Sequence, residues 1–356
     1  MCQALTRLVP YLVILVLALP FRAVSQEPIA IGLLLPDLSH TKVISAAELA
    51  IDRANAAGGY MNREFKLVIR TAEGFWGAGS KESVSLVYED QVRAIIGSLD
   101  GRNGHLAEQV ATKSHLTYIE TYATEPTLSQ AFVPWFVRVV PNDNQQSLTI
   151  LKQIAKEGGG KIGILSKETY DTRYAVKSLT KAAAGETGMP PLILDLDTTS
   201  NIQDDVLEKI LGNNINHLVI PLDALYLKDL IKTLGKEKPE LKIYGTLHFS
   251  IGLENRKDAW DSYEGIYMVS PHLDRDKYSA LPNSQSAYMY DAVNLVINAI
   301  EQVGTEREAI TDYISKSDYS KGVTGSISFD ELGNRQGAST LIRIQNGVPQ
   351  LINPLN

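Results

Sequence analysis

The chain has 356 residues, 44% of them hydrophobic and 21% charged, with 34 Lys and Arg against 41 Asp and Glu. That balance excludes a disordered chain and a multi-span membrane protein, and a net charge of −7 with no strongly basic stretch argues against nucleic-acid binding. The single cysteine, Cys2, excludes an internal disulfide and a thiolate metal cluster.

Arg7 precedes an apolar run from Leu8 to Leu19; Pro20 and Phe21 end it, and Ala23, Val24 and Ser25 follow. A charged start, a short apolar middle and small residues at the end are the layout of a secretory signal, so cleavage is expected before Gln26. The run is short for a membrane span, although an uncleaved anchor is the competing reading. Cys2 lies before the apolar run, where it cannot be the lipid-accepting cysteine of a lipoprotein signal. The segment holds two Arg and no acid, so its removal takes the charge from −7 to −9. An exported, cysteine-free chain of this size points to the bacterial periplasm, because extracellular eukaryotic proteins usually carry disulfides.

The remainder alternates between strand and helix patterns. Ile29–Leu35 is a continuous apolar run closed by Pro36, as in a strand buried on both faces. Val43, Ala46, Ala47, Ala50, Ile51 and Ala54 then recur at helical spacing, and Gly58-Gly59 stops the helix. Strands are predicted at 65–71, 92–96, 116–119 and 135–140, with helices at 80–89 and 106–114. After Pro141 the rhythm restarts: Asp143 is positioned to cap a helix to about 157, and Gly158-Gly159-Gly160 ends it. Strands at 161–165, 192–196, 217–220, 241–245 and 265–269 alternate with helices at 174–184, 204–211 and 225–234. Long helices at 287–303 and 307–316 come last, and Asp330 to Asn334 reads as a turn between two strands. The pattern predicts an α/β fold: two Rossmann-like lobes with mostly parallel sheets.

The chain carries little that resembles catalytic machinery. The six histidines form no His-x-x-x-His pair, and there is no Gly-x-Ser-x-Gly elbow or phosphate-binding Gly-x-x-x-x-Gly-Lys-Ser/Thr loop. Gly101 to Gly104 is a Gly-x-x-Gly loop, a weak signal alone. The acidic pairs Asp204/Asp205 and Asp195/Asp197 read as caps and solvated faces. No enzyme activity, metal or cofactor is expected.

Several blocks, in order, carry a resemblance. They are Ala46 to Gly59, Val92 to Gly97, Thr121 to Pro126, Phe136 to Asp143 with Gln145 and Gln146, Tyr288 to Ala299, and Gly325 to Asp330 with Gly333. Together they resemble the branched-chain amino-acid binding family, the type I periplasmic solute-binding proteins of ABC importers. The resemblance covers essentially the whole mature chain. It implies two lobes joined by a three-crossover hinge: residues 26–140 plus 272–326 in lobe one, and 141–271 plus 327–356 in lobe two. A solute would be held beyond the carboxyl ends of the strands, where two open α/β sheets face each other, and the lobes would close on it.

The resemblance also points to site residues. The loop Ser98 to Gly104, with Gly101, Arg102 and Asn103, and the loop Tyr122, Ala123 and Thr124 correspond to the loops that grip a ligand carboxylate. Backbone N–H groups and a helix N-terminus suit that role, and Arg102 suits a bidentate pair with an acid, unless Asp100 neutralises it within the loop. Tyr170 matches a tyrosine that closes over the ligand; packing at the lobe surface is the alternative. Asp223 and His248 lie where groups for a ligand ammonium are found, and both also read as loop residues. Trp76 lines the cleft or belongs to its rim, and Trp135 and Phe136 read as packing. Only Asp37 to Thr41 separates Pro36 from the first helix, so the loop after strand one is shorter than the family's. That departure argues against a plain leucine or valine ligand.

The expected function is therefore an extracytoplasmic receptor that presents an amino acid or related small polar solute, such as an amide or an organic or aromatic acid, to an ABC permease in the inner membrane. A monomer is expected. A sensor that uses the same closure without transport is the alternative.

Overall fold

The computed structural model describes residues 27–75, 77–196, 202–254, 260–271, 280–337 and 339–352. The readings of the signal segment, Trp76 and Asp197 fall outside them. Among the described residues no helix is long and apolar enough to cross a membrane.

The first sheet has five parallel strands in the order β2-β1-β3-β4-β5: β1 (Ile29–Leu35), β2 (Phe65–Thr71), β3 (Ala94–Gly97), β4 (Thr117–Glu120) and β5 (Phe136–Arg138). Side chains alternate across a strand, and β1 is apolar on both sides. Ile29, Ile31, Leu33 and Leu35 face helix α1 (Thr41–Ala56) and helix α8 (Ser284–Val303), whereas Leu34 meets α2 (Ala78–Tyr88) and α3 (Gly101–Lys113) on the other face. Gly97 ends β3 at φ +144°, and a Cβ there would lie 2.1 Å from the Leu34 carbonyl oxygen, so only glycine permits this approach of β3 to β1.

The second sheet has seven strands in the order β12-β11-β10-β9-β8-β6-β7. Strands β6 (Ile162–Ser166), β7 (Leu192–Asp195), β8 (His217–Ile220), β9 (Lys242–Gly245) and β10 (Tyr267–Val269) are parallel. Strands β11 (Leu341–Gln345) and β12 (Val348–Leu351) add an antiparallel edge. One face packs on α4 (Asp143–Lys156) and α5 (Tyr170–Thr187), the other on α6 (Ile202–Gly212) and α7 (Lys228–Glu237). Helix α9 (Arg307–Lys316) returns with α8 to the first sheet, and a single turn, Ile251–Glu254, follows β9.

The chain passes between the sheets three times: after β5, between β10 and α8, and between α9 and β11. The first and third passages are bonded together. The Arg138 N–H donates to the Gly333 carbonyl at 2.8 Å, Asn142 Nδ2 to Asn334 Oδ1 at 3.1 Å, and Gln145 Nε2 to the Arg335 carbonyl at 2.8 Å. The side chain of Arg335 reaches back to the Val139 carbonyl at 3.0 Å. A single hydrophobic core runs from Ile29 and Ala287 in the first half to Ile164 and Val219 in the second.

Three sequence expectations are corrected. Asn142, not Asp143, caps α4: its Oδ1 accepts the Gln145 N–H, and the Gln145 side chain accepts the Asn142 N–H in a capping box. Helices α3 and α5 begin at Gly101 and Tyr170, earlier than the apolar spacing suggested, because Asp100 and Thr169 cap polar first turns. The turn at Asp330 to Asn334 lies inside a single bridge between Phe329 and Arg335, and the real hairpin is β11–β12. Its turn is Asn346-Gly347, both at positive φ, as a two-residue hairpin requires.

Candidate functional site

The carboxyl ends of β3 and β4 meet those of β6 and β9. Four contacts join them. The Gly101 N–H donates to Asp171 Oδ1 at 3.1 Å, and the Tyr122 hydroxyl donates to the Leu247 carbonyl at 3.1 Å. The Tyr122 ring meets His248 edge-on at 5.5 Å, and the Arg102 guanidinium lies 5.6 Å from the centre of the Tyr170 ring.

Glu120, the last residue of β4, organises this region. It is completely buried. Its Oε1 accepts the N–H groups of Thr121, Tyr122 and Ala123 at 2.8, 2.9 and 2.9 Å, and its Oε2 accepts the Ser98 N–H at 3.0 Å and the Tyr118 hydroxyl. Burial pushes its carboxyl upward, and these donors pull it back. One internal carboxylate thus fixes both the β3 and the β4 loops.

The residues singled out from the sequence occupy distinct environments. Gly101 is the first residue of α3; a Cβ there would lie 2.7 Å from Glu125 Cδ and 2.9 Å from Asp171 Oδ1. Asn103 is engaged with the cap, its N–H and its side-chain amide both donating to Asp100 at 2.9 Å. Arg102 is exposed and faces Tyr170. Ala123 and Thr124 are both buried, with the Thr124 carbonyl accepting the Asp143 N–H at 2.8 Å. Tyr170 opens α5, its ring 5.5 Å from Tyr174 and 4.8 Å from the Arg173 guanidinium. Asp223 caps a short turn, accepting the Leu225 N–H at 2.9 Å. Part of His248 reaches solvent, yet the atoms around it disfavour the charged ring and lower it to about 4, so it stays neutral. The structure brings Gly101, Arg102, Tyr122, Tyr170 and His248 together; Asp223 is held in its own turn.

Three acids that sequence reasoning did not place in the site lie among these residues. Asp143 is 2% exposed, and neither of its oxygens has a well-formed hydrogen bond, the Thr124 hydroxyl being the donor that acts on it. Burial pushes its carboxyl up to about 7; the Thr124 hydroxyl and the buried Arg138 pull it back, while Asp171 and Glu125 add to the rise. Burial likewise raises Asp171 to about 6, with Asp100 and Glu125 contributing. Glu125 is 1% exposed, with His105 Nε2 2.5 Å from its Oε1. Glu108, 3.7 Å away on the same helix, and Glu125 hold His105 protonated, raised to about 9. The available signal was an acid in the loop or first helical turn that follows a strand's carboxyl end, as at Glu125 after β4, Asp143 after β5 and Asp171 after β6. Among the described residues no group of His, Cys, Asp and Glu is arranged to hold a metal ion. A depression of about 870 Å³ lined by Tyr88, Arg93, His115 and Arg307 lies at the opposite, amino ends of β3 and β4, away from these contacts.

Residues 28–206 match the family model described as periplasmic binding protein. The chain is also similar in structure to solved solute-binding proteins. The ABC transporter substrate-binding protein of Desulfitobacterium hafniense, in complex with Leu, is 19% identical with a TM-score of 0.74, covering 92% of this chain and 100% of that one. The branched-chain amino acid transporter substrate binding protein LivJ of Streptococcus pneumoniae, in complex with isoleucine, is 21% identical with a TM-score of 0.72, covering 92% and 100%. A solute binding protein of R. palustris, in complex with benzoate, is 15% identical with a TM-score of 0.76, covering 91% and 95%. At these identities the likeness is one of fold. No curated protein matches the chain in sequence.

Proposed function

The chain belongs to the periplasmic binding protein family, and from that premise we propose that it is the extracytoplasmic solute receptor of an ABC importer. In this reading the two sheets and their helices are lobes, residues 26–140 with 272–326 and residues 141–271 with 327–356, which close on a small polar solute and present it to a permease in the inner membrane. The structural neighbours hold Leu, isoleucine and benzoate, which sets the size of solute that such a fold accepts. The observation that carries the proposal is the set of bonds between the strand ends of the two sheets, Gly101 to Asp171 and Tyr122 to Leu247. Contacts of this kind exist only when the lobes are together, so a solute that touches both sides shifts the population toward closure. The protein works as a monomer, without catalysis, in the periplasm after cleavage before Gln26.

Two measurements test this. Mass spectrometry of solute released from protein purified from the envelope should identify a bound small molecule, and the intact mass should lack Met1 to Ser25. A solute that binds only the closed form should stabilise it by about 2.7 kcal/mol at a hundredfold excess over Kd. If no released solute is found and no small polar compound raises Tm, the receptor reading fails.

A further inference from the structure

The backbone N–H groups at the carboxyl ends of β3 and β4 are where an acidic solute would be held, and in this protein they have internal partners. Glu120 takes those of Ser98, Thr121, Tyr122 and Ala123. Asp171 takes that of Gly101, and Asp100 that of Asn103. Three carboxylates of the chain thus take the donors that a ligand carboxylate would use, and a further anion would meet repulsion instead of free donors.

The same place holds buried carboxyls that the protein answers only in part. Asp143 has no well-formed hydrogen bond and forms no ion pair within 4.0 Å among the described residues. Glu125 is answered on one oxygen only, by the protonated His105 with Nε2 2.5 Å from its Oε1. The buried Arg138 sends its guanidinium elsewhere, to the Ala123 and Glu125 carbonyls at 3.2 and 2.8 Å and to the Ser129 hydroxyl at 3.3 Å. The charged groups around the site are Asp100, Glu108, Glu120, Glu125, Asp143 and Asp171 against Arg102, His105 and Arg138, a surplus of acids. Asp171 Oδ1 and Glu125 Cδ, from elements of different sheets, converge on Gly101, within 3 Å of the point its Cβ would occupy. A buried carboxylate without a charged partner is costly and shifts toward its neutral form, and a cation brought beside it would remove that cost. The absence of a metal-holding group among the described residues turns that cation toward an organic one, whose several N–H donors can reach carboxylates on both sides.

We propose that the solute of this cleft carries an ammonium or guanidinium group received by Asp143, Glu125 and Asp171, and presents no carboxylate to the β3 and β4 loops. The inference rests on the solute-receptor reading and narrows its substrate class to amines and guanidines. The rise of the Asp143 and Asp171 carboxyls fits it, since a bound cation would restore their ionised forms.

The test is thermal shift and calorimetry on the purified full chain at about pH 8, above the titration of Asp143 near 7. The probes are agmatine, 1,4-diaminobutane and butylamine on one side, and L-leucine and benzoate on the other. At least one cation should raise Tm, and neither acid should. D143N and E125Q should each weaken that cation's binding by roughly tenfold or more, as expected for losing a charge-assisted contact. D143N should at the same time raise the Tm of the ligand-free protein, which a residue placed for stability alone would not do. Binding of leucine or benzoate without the cations overturns the inference and leaves the receptor reading standing. No shift with any of the five probes also overturns the inference, and the released-solute measurement then decides the receptor reading by itself. Undiminished cation affinity in both variants removes these carboxylates from the site.

Discussion

Arg335 and Asp143 are ionisable side chains beside the third and first crossovers, 3% and 2% exposed, and they are treated in opposite ways. The Arg335 guanidinium donates five hydrogen bonds: to the Val139 and Thr324 carbonyls at 3.0 Å, to the Thr324 hydroxyl at 2.8 Å, and twice to the Ser326 carbonyl at 2.8 and 3.2 Å. The Asp143 carboxylate has no well-formed hydrogen bond, with only the Thr124 hydroxyl acting on it. A buried polar group with every donor matched adds rigidity, whereas one left unmatched costs stability until something arrives to match it. The hinge therefore behaves as structure and the cleft as a site held ready, and the contrast can be tested residue by residue.

The largest effect is expected at the hinge. Arg335→Leu strands the Val139, Thr324 and Ser326 carbonyls and should cost about 3–5 kcal/mol, read from the urea midpoint. A loss below about 1 kcal/mol would mean that the crossovers are held by something other than this guanidinium.

The opposite sign is expected at Asp143. Its carboxyl titrates near 7 in the folded chain against 3.8 for the ordinary group. A carboxyl raised in the native state binds protons more tightly there than in the unfolded chain. Its stabilising contribution is therefore complete below about 4 and is lost as pH rises through about 7. Asp143→Asn should remove most of this slope and stabilise the ligand-free protein by about 3 kcal/mol at pH 8, taking about 1.4 kcal/mol per pKa unit and allowing for a buried amide. Urea melts at pH 4.5 and 8 check it; an unchanged slope would place the titration on another group. The comparison between hinge and cleft would then lose its second half.

Tyr170→Ala addresses the cleft from the other side. The ring opens α5 and faces Arg102 across the gap between the sheets. Its truncation should weaken solute binding by about 1–3 kcal/mol while the ligand-free Tm changes little. Unchanged affinity with a large loss of stability would make Tyr170 a packing residue, like those of the hinge.

The two regions also differ in how far they could be read from sequence. Strands β1 and β8 coincide with their apolar runs because burial on both faces leaves a pattern in single residues, and β2 and helix α9 coincide as well although only part of each is buried. The hairpin β11–β12 was missed even though Asn346-Gly347 marks its turn, because the strands around it are short and half exposed. Tyr170 and Gly101 were recognised, but not as first residues of helices: their first turns are polar, and a cap is a side-chain contact that spacing does not record. Glu125 and Asp143 lie inside blocks that the resemblance singled out, yet their charge drew no attention. An acid beside a strand end looks the same in sequence whether it caps a helix, as Asp100 does, or is buried without a well-formed hydrogen bond, as Asp143 is. Nor could spacing show that Glu120 takes the N–H groups of its own loop, since that depends on the path of the chain beyond β4.

The smallest expected effect isolates a single bond across the cleft. The Tyr122 ring is 1% exposed, and its hydroxyl donates to the Leu247 carbonyl at 3.1 Å. Leu247 is itself positioned by the second half, its N–H donating to Gln146 Oε1 at 2.8 Å. Tyr122→Phe keeps the ring, including its edge-on contact with His248 at 5.5 Å, and deletes only the link between the strand ends of the two sheets. A neutral hydrogen bond of this kind contributes about 0.5–1.5 kcal/mol. If the bond forms only when the lobes meet, the loss falls on the closed state, so solute affinity drops about fivefold at 1 kcal/mol while the ligand-free urea midpoint stays where it was. If the bond persists without solute, the same loss appears in the midpoint and affinity is unchanged. The second result would group Tyr122 with Arg335 as a fixed strut and would move the boundary between hinge and cleft to the far side of the β4 loop.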